Sequence, residues 1–164
     1  MSAHLAATRR YPAAIRLLSQ RRRRRAAVRG IIDTMEDFYR EYILDHYRNP
    51  RNHGVIEAPD YTYEDSNPLC GDVLRLDLSV DEQNMIEDVK FSGRGCAISQ
   101  ASASMLTELI EGKSLDEVKQ INKEDLLETL GITISPARLK CALLSLKVLK
   151  GGVYLGAQED EDDL

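Results

Sequence analysis

The middle of the chain alternates strictly between apolar and polar positions. Every second position from 74 to 80 is apolar, and the side chains are Leu74, Leu76, Leu78 and Val80. A period of two is typical of a strand with one buried face. A turn over residues 81–84 then leads into a second apolar segment that contains Ile86, Val89 and Phe91. The pattern therefore predicts a β-hairpin.

Apolar positions outside this hairpin recur at the spacing of helices. The first such segment covers residues 35–49 and is stopped by Pro50. Residues 50–69 contain three prolines and are predicted to form a loop with a short strand near residues 61–63. Small and apolar side chains over residues 97–111 predict a packed helix directly after the hairpin.

Capping signals divide the rest of the chain into three further helices. Ser114 begins a Ser-x-x-Glu capping box, which predicts the start of a short helix. Asn122 is expected to cap the next helix, and Gly131 to end it. The last helix is predicted to begin at Pro136 and to end at the glycine pair 151–152.

Charge is divided unevenly along the chain. Residues 1–34 carry nine arginines and one acid, whereas residues 35–164 carry 13 basic and 26 acidic side chains. The second segment is therefore acidic, which argues against a nucleic acid as its partner. No stretch approaches the roughly 20 apolar residues that cross a bilayer, so we expect a soluble protein without a membrane partner.

The composition predicts one domain. A chain of 164 residues with 43% hydrophobic content suffices for one ordinary core, which we place at residues 35–155. Residues 156–164 are predicted to be an acidic disordered tail. The arginine-rich residues 1–34 are predicted to be a disordered extension, with three interpretations: a mis-assigned start, a targeting segment or an RNA-binding arm.

The candidate chemistry lies in three cysteines and one aspartate. In Cys70-Gly71-Asp72 the outer side chains are two positions apart and the glycine permits a bend, so a thiolate and a carboxylate can share a cation. Cys96 lies in a glycine-flanked turn at a helix start, where free N–H groups favour the thiolate. Cys141 lies inside the last predicted helix, and it joins the others only if the fold brings that helix against the turn.

Each cysteine also has a plainer interpretation as a small buried hydrophobe, since the chain contains no short Cys-x-x-Cys pair. The chain has three cysteines, an odd number that cannot all pair in disulfides. No hydrophobic signal peptide is recognised before them, so reduced thiols are expected. The expected compartment is the cytoplasm, or an organellar matrix if residues 1–34 are a transit peptide. His46, in the first predicted helix, is interpreted as a structural or surface residue rather than a ligand.

Three segments of the chain carry a resemblance to a known family. They are Asn67-Pro68-Leu69-Cys70-Gly71-Asp72, Gly93-Arg94-Gly95-Cys96-Ala97-Ile98-Ser99 and Arg138-Leu139-Lys140-Cys141-Ala142. Together they resemble the NifU/IscU-type iron–sulfur cluster assembly family, and most closely its SufU branch. The IscU type has a histidine directly before its last cysteine, where this chain has Lys140. The long interval between the second and third cysteines resembles the insertion typical of SufU.

The resemblance implies an α+β fold, a small antiparallel sheet with helices packed on one side, like that of SufU and IscU. It implies that one exposed end of this fold binds Zn²⁺, with Cys70, Asp72, Cys96 and Cys141 as the ligands. It also implies a role in the SUF system, as a zinc-dependent sulfur acceptor that takes persulfide sulfur from a cysteine desulfurase.

The implied partners are a SufS-type cysteine desulfurase and downstream cluster-assembly proteins. SufU-like proteins are understood to exchange one zinc ligand for a histidine of the desulfurase, and we expect this to free Cys70 as the catalytic thiol. Arg138 matches an arginine that engages the desulfurase in this branch, and Lys140 is a second candidate for partner binding. Arg138 also has the interpretation of an ordinary surface arginine.

Two other functions would use the same four side chains. One is a scaffold that assembles and transfers a [2Fe–2S] cluster or binds iron, since thiolates also hold such clusters. The other is a structural zinc module that binds proteins and takes up no sulfur. Whether the protein is itself an enzyme, a zinc-dependent sulfurtransferase, depends on which of these functions holds.

Overall fold

The computed structural model describes residues 37–159 of the chain. The predicted extension, residues 1–34, and the end of the predicted tail, residues 160–164, lie outside the described residues. The described part contains one antiparallel sheet and a set of helices, as the sequence predicted. None of the helices described is long and apolar enough to cross a membrane.

The sheet has three strands in the order β1-β2-β3, and they are Tyr61–Asn67, Asp72–Val80 and Ile86–Arg94. Leu76 at the centre of β2 pairs with Tyr63 of β1 and Phe91 of β3. The predicted hairpin is confirmed as β2 and β3. The short strand expected near residues 61–63 is longer than predicted, because its backbone pairs with β2 over its whole length.

Six helices occur in the described residues. They are α1 (37–48), α2 (Ala97–Ile110), α3 (Leu115–Gln120), α4 (Lys123–Leu130), α5 (Pro136–Ala142) and α6 (Leu144–Glu159). Both predicted caps are present as capping boxes: Ser114 with Glu117 opens α3, and Asn122 with Asp125 opens α4. Gly131 ends α4, as predicted, and it adopts the left-handed conformation.

One face of the sheet forms the core with helices α2 and α6. The alternating apolar positions of β2 lie on this face and are buried, together with apolar side chains of β3 and of the two helices: Leu74, Leu76, Leu78, Val89, Phe91, Leu106, Val148, Leu149 and Val153. Burying an aliphatic or aromatic side chain of this size contributes about 1.5–3 kcal/mol. This layer fixes β2 and α2, which both lead into the candidate site.

The last helix differs from the prediction at two places. Its single run is interrupted at Leu143, which separates α5 from α6. The buried hydroxyl of Ser102 donates a hydrogen bond of 2.7 Å to the carbonyl oxygen of Ala142, beside the interruption. A tertiary contact therefore occupies a carbonyl that a continuous helix would pair internally.

The predicted helix end at the glycine pair is wrong, because α6 continues through both glycines to Glu159. Gly151 is needed for packing: a Cβ atom there would lie 2.4 Å from Cε1 of Tyr63 in β1. The glycine thus permits close approach of helix and strand rather than a turn. The predicted acidic tail, residues 156–164, consequently begins inside this helix.

Candidate metal and sulfur-transfer site

The turn between β1 and β2 brings Cys70 and Asp72 together. Gly71 between them has φ +73°, a left-handed conformation that glycine adopts without strain, so the bend expected at this position is present. The Gly71 N–H donates to the carbonyl of Asn67 at 2.8 Å. Cys70 is exposed in this turn, whereas Asp72 is buried at the start of β2.

Helix α5 places Cys141 against this turn. The sulfur atoms of Cys141 and Cys70 are 3.2 Å apart. One ligand atom each of Cys70, Asp72 and Cys141 lies within 4.8 Å of the other two. Cys141 is 5% exposed. It is buried, as its plainer interpretation expected, yet it faces a second thiol and a carboxylate, which a purely structural cysteine does not require.

Cys96 lies beside this group without completing it. It is the N-cap residue of α2, and its backbone N–H donates to Asp72 Oδ1 at 3.0 Å. Its own sulfur is not among the ligand atoms that lie within 4.8 Å of one another. The structure therefore brings together three of the four predicted ligands and places the backbone of the fourth against one of them.

The Asp72 carboxylate favours its charged form, and its two oxygens differ in their contacts. Burial opposes its ionisation, but the nearby Cys70 thiol, the Cys96 N–H, the Ser99 hydroxyl and the Cys141 thiol together lower the pKa of Asp72. Among the described residues, no partner with normal hydrogen-bond geometry reaches its buried Oδ2 atom. A buried carboxylate oxygen without a partner is costly, so this atom is suited to a cation.

The thiol of Cys141 stays protonated without a cation. Burial, the bond to Cys70 and the nearby groups of Cys96 and Asp72 raise the pKa of Cys141 to about 12. A metal ion reverses this preference, because a coordinating thiol loses its proton. Thiolates combined with one carboxylate are ligands that Zn²⁺ accepts, so the residues present fit the implied metal.

Sequence reasoning missed one residue at this site, Asn67. Its amide nitrogen lies 3.8 Å from the sulfur of Cys141, and its side chain is 6% exposed. The available signal was an Asn directly before a proline in a predicted loop, a position where the side chain often bonds the backbone of the next turn.

The two predicted partner-binding residues lie on the surface next to Cys141. Arg138 and Lys140 are both exposed on α5, and neither makes an ion pair with any residue in 37–155. Lys140 also lines a cavity of about 350 Å³ beside the β1–β2 turn, together with Leu69, Leu144 and Lys147. Both cations are therefore available to a docked protein.

His46 takes no part in this group. It is fully buried in α1, and its Nδ1 atom forms a hydrogen bond of 2.8 Å with the Ser104 hydroxyl. Burial lowers the pKa of His46, and Arg51 adds to this effect. These contacts agree with the structural interpretation of this histidine.

Residues 38–159 match the family model described as the NifU-like N-terminal domain. The chain is 39% identical over 136 residues to the zinc-dependent sulfurtransferase SufU of Bacillus subtilis (strain 168), with 73% of this chain and 91% of that protein covered. It is 36% identical over 118 residues to the iron–sulfur cluster assembly scaffold protein IscU of Escherichia coli (strain K12), with 70% and 91% covered.

Two solved structures share the fold. A putative iron–sulfur cluster assembly scaffold protein for the SUF system from Fervidobacterium islandicum AW-1 superimposes with a TM-score of 0.60 at 32% identity, over 69% of this chain and 94% of that one. A NifU-like protein from Brucella abortus gives 0.61 at 19% identity, over 76% and 97%. The expected sheet with helices on one side is confirmed, and the chain belongs to the NifU-like N-terminal domain family.

Proposed function

We propose that this protein serves iron–sulfur cluster assembly as a zinc-dependent acceptor of sulfur from a cysteine desulfurase. The observation that carries the proposal is the contact between exposed Cys70 and buried Cys141, 3.2 Å apart beside the unpaired Oδ2 atom of Asp72. The zinc-dependent sulfurtransferase of B. subtilis, at 39% identity, supports the same assignment.

Four side chains would hold the zinc ion: Cys70, Asp72, Cys96 and Cys141. Rotation of the Cys96 side chain can complete the set, because its backbone nitrogen is already 3.0 Å from Asp72 Oδ1. When bound, zinc keeps the thiols deprotonated and joins the β1–β2 turn to α5.

Cys70 is the thiol that accepts sulfur. It is exposed, whereas Cys141 is buried and Cys96 is half-buried, so a partner's persulfide reaches Cys70 most easily. Its thiolate attacks the outer sulfur of the partner's cysteine persulfide. A new S–S bond forms on Cys70 as the partner's S–S bond breaks, and the partner's thiolate leaves. The sulfur is then carried away as a persulfide on Cys70.

The desulfurase, of the SufS type, docks where this thiol is exposed. Arg138 and Lys140 lie on the same helix as Cys141 and offer two cations to acidic groups of the partner. Such rim charges act mainly on the rate of association and on specificity. The acidic surface of the remaining fold favours a partner whose docking rim is otherwise basic.

The first test is the metal content and absorbance of the protein, purified in air and again without oxygen. We expect about one zinc per chain, no visible colour and a faster turnover of a cysteine desulfurase. Iron with acid-labile sulfide, a brown cluster spectrum and an unchanged desulfurase would overturn the proposal.

A matched pair of variants tests the donor set. Asp72→Ala removes the buried carboxylate, and we expect the zinc to dissociate more readily in competition with a chelator. Asp88→Ala is the control, because Asp88 is a surface acid of β3 paired with Lys90. Equal zinc retention by both variants would exclude Asp72 as a ligand.

A second candidate function is a scaffold that assembles a [2Fe–2S] cluster as its cargo on the same side chains. The 36% identity to a scaffold protein of E. coli favours it, and three thiolates suit iron as well as zinc. Reconstitution with iron and sulfide separates the two: a scaffold yields a stable cluster that passes to an acceptor protein, whereas the sulfur acceptor does not.

A further inference from the structure

Asn67 is a buried polar residue at the end of β1 that the proposed ligand set does not use. It is 6% exposed and pairs across the sheet with Asp72, the first residue of β2. It therefore lies directly behind the turn that carries Cys70. A buried amide needs partners for its oxygen and its nitrogen, so its contacts indicate what it does.

The oxygen atoms of Asn67 shape the turn. Its side-chain Oδ1 accepts a hydrogen bond from the Leu69 N–H at 3.2 Å. Its main-chain carbonyl accepts from the N–H of Gly71 at 2.8 Å and of Cys70 at 3.3 Å. Three consecutive contacts thus hold the residues that place the Cys70 sulfur.

The nitrogen atom of Asn67 reaches the other segment of the site. Its Nδ2 group donates to the Cys141 sulfur at 3.8 Å, across 74 positions of the chain. A long N–H···S contact is normal for sulfur, which is a large and weak acceptor. The same side chain therefore contacts the turn that carries Cys70 and the sulfur of Cys141.

We propose that Asn67 is a positioning residue that holds the sulfurs of Cys70 and Cys141 in contact and donates an N–H to Cys141. The part of this proposal that concerns metal binding rests on the proposed function. Groups that bond to metal ligands set the orientation and electron density of those ligands, and their loss typically costs about 10–100-fold in metal affinity.

Asn67→Ser separates the two roles of the side chain. A serine hydroxyl can still accept from the Leu69 N–H, as serine does in comparable turns, but it is too short to reach the Cys141 sulfur. Asn122→Ser is the matched control. Asn122 is also an asparagine whose oxygen caps a backbone N–H, that of Asp125, at 3.1 Å, and in residues 37–155 no sulfur atom bonds to it.

The first measurement uses metal-free protein in mixtures of reduced and oxidised glutathione. One glutathione disulfide is reduced to two thiols as Cys70 and Cys141 are oxidised to a disulfide, which peptide mapping identifies. The equilibrium constant reports how closely the two sulfurs are held. We expect Asn67→Ser to lower it about 2- to 10-fold, the effect of one lost hydrogen bond.

The second measurement replaces zinc with Co²⁺, whose sulfur-to-metal charge-transfer band reports electron density on the sulfur. Loss of the N–H donor raises the energy of the sulfur electrons, so the band should move to longer wavelength. Zinc affinity should fall about tenfold in chelator competition. Asn67→Asp, which keeps the size and the acceptor but lacks the donor, should move the band in the same direction.

A purely structural role predicts another outcome. Simple loss of folding would weaken the cobalt band without moving it, and circular dichroism would show the loss. Wild-type values for both measurements in Asn67→Ser, or equal changes in Asn122→Ser, would overturn the proposal. A wild-type protein that binds neither zinc nor cobalt would overturn the proposed function, while the glutathione equilibrium would still decide the role of Asn67.

Discussion

The two ends of the sheet satisfy their polar groups in different ways. At the β2–β3 turn, the Asp81 carboxylate accepts from the backbone N–H of Gln83 and of Met85, both at 2.8 Å. At the opposite end, none of the described residues pairs with Oδ2 of Asp72, and the thiols of Cys70 and Cys141 lie in contact. The carboxylate of the turn has hydrogen-bond partners from the protein, whereas the site has an atom that a bound cation would satisfy.

The two carboxylates also differ in where their hydrogen-bond donors come from. Asp81 accepts from residues two and four positions away, within its own turn. Asp72 accepts from the N–H of Cys96, 24 positions away, and its neighbour Asn67 donates to the sulfur of Cys141, 74 positions away. The carboxylate of the turn is therefore satisfied locally, whereas the side chains of the site meet only when α2 and α5 are packed.

The largest expected effect is the loss of sulfur uptake at the end of the sheet that carries the cysteines. Cys70→Ala should abolish sulfur uptake from a desulfurase, because it removes the exposed nucleophile, while the midpoint of thermal unfolding of the metal-free protein stays close to that of the wild type. Uptake is measured by mass spectrometry of the persulfide. Sulfur found on Cys96 or Cys141 in this variant would contradict the assignment of Cys70.

Gly151→Ala should lower stability while leaving the site intact. The added Cβ would meet the Tyr63 ring at 2.4 Å, and overpacking of this kind costs about 1–3 kcal/mol. Gly152→Ala is the matched control: its Cβ would lie 3.4 Å from the nearest atom, and alanine favours a helix by about 1 kcal/mol. Denaturant unfolding measures both, and equal stability of the two variants would show that α6 does not need this close approach.

Ser114→Ala tests the end of the molecule remote from the cysteines. It removes both the cap of α3 and the hydroxyl partner of Glu117, with an expected loss of about 1 kcal/mol. Zinc content should not change. Ser135→Ala is the control, since Ser135 is the N-cap of α5 but its side chain makes no capping bond. A similar loss in the control would assign the effect to the serine itself rather than to the capping box.

The smallest effect is a dependence of stability on pH. Hydrogen bonds from the backbone and the hydroxyl of Ser114 lower the pKa of Glu117 below its ordinary 4.5. The charged form is therefore favoured by folding, so this contribution is complete above pH 4.5 and is lost as the pH falls through the lowered pKa. Glu117→Gln should be less stable than the wild type at pH 7 and equally stable in acid. If the variant were less stable than the wild type by the same amount at every pH, the charge of Glu117 would be excluded as the cause.

Local rules predicted the elements whose contacts are local. The alternation in β2, the capping box at Ser114 and the end of α4 at Gly131 all follow from a few neighbouring residues. The interruption at Leu143 was missed because its partner, Ser102, lies 40 positions away. Gly151 was mistaken for a helix end for a similar reason: nothing beside it in the sequence indicates the Tyr63 ring.

The same division holds for the site. Cys70 and Asp72 lie close together because they are two positions apart with Gly71 between them, so this part of the site was predictable. The position of Cys141 next to Cys70 depends on how α5 packs against the β1–β2 turn, and the spacing of the cysteines could not predict that packing. The role of Asn67 was missed because it depends on a contact with Cys141, 74 positions away, which the sequence does not indicate.

The interruption at Leu143 makes α5 an independent segment of seven residues, attached to a long helix that packs into the core. Cys141 and Ala142 are its buried residues. A segment held by so few buried groups can detach by local unfolding while α6 stays folded, so its amide hydrogens should exchange with solvent faster than those of α6. Such opening would take the Cys141 thiol out of the site and would also expose Ala142, which packs in a small apolar cluster with Ala101 and Leu130.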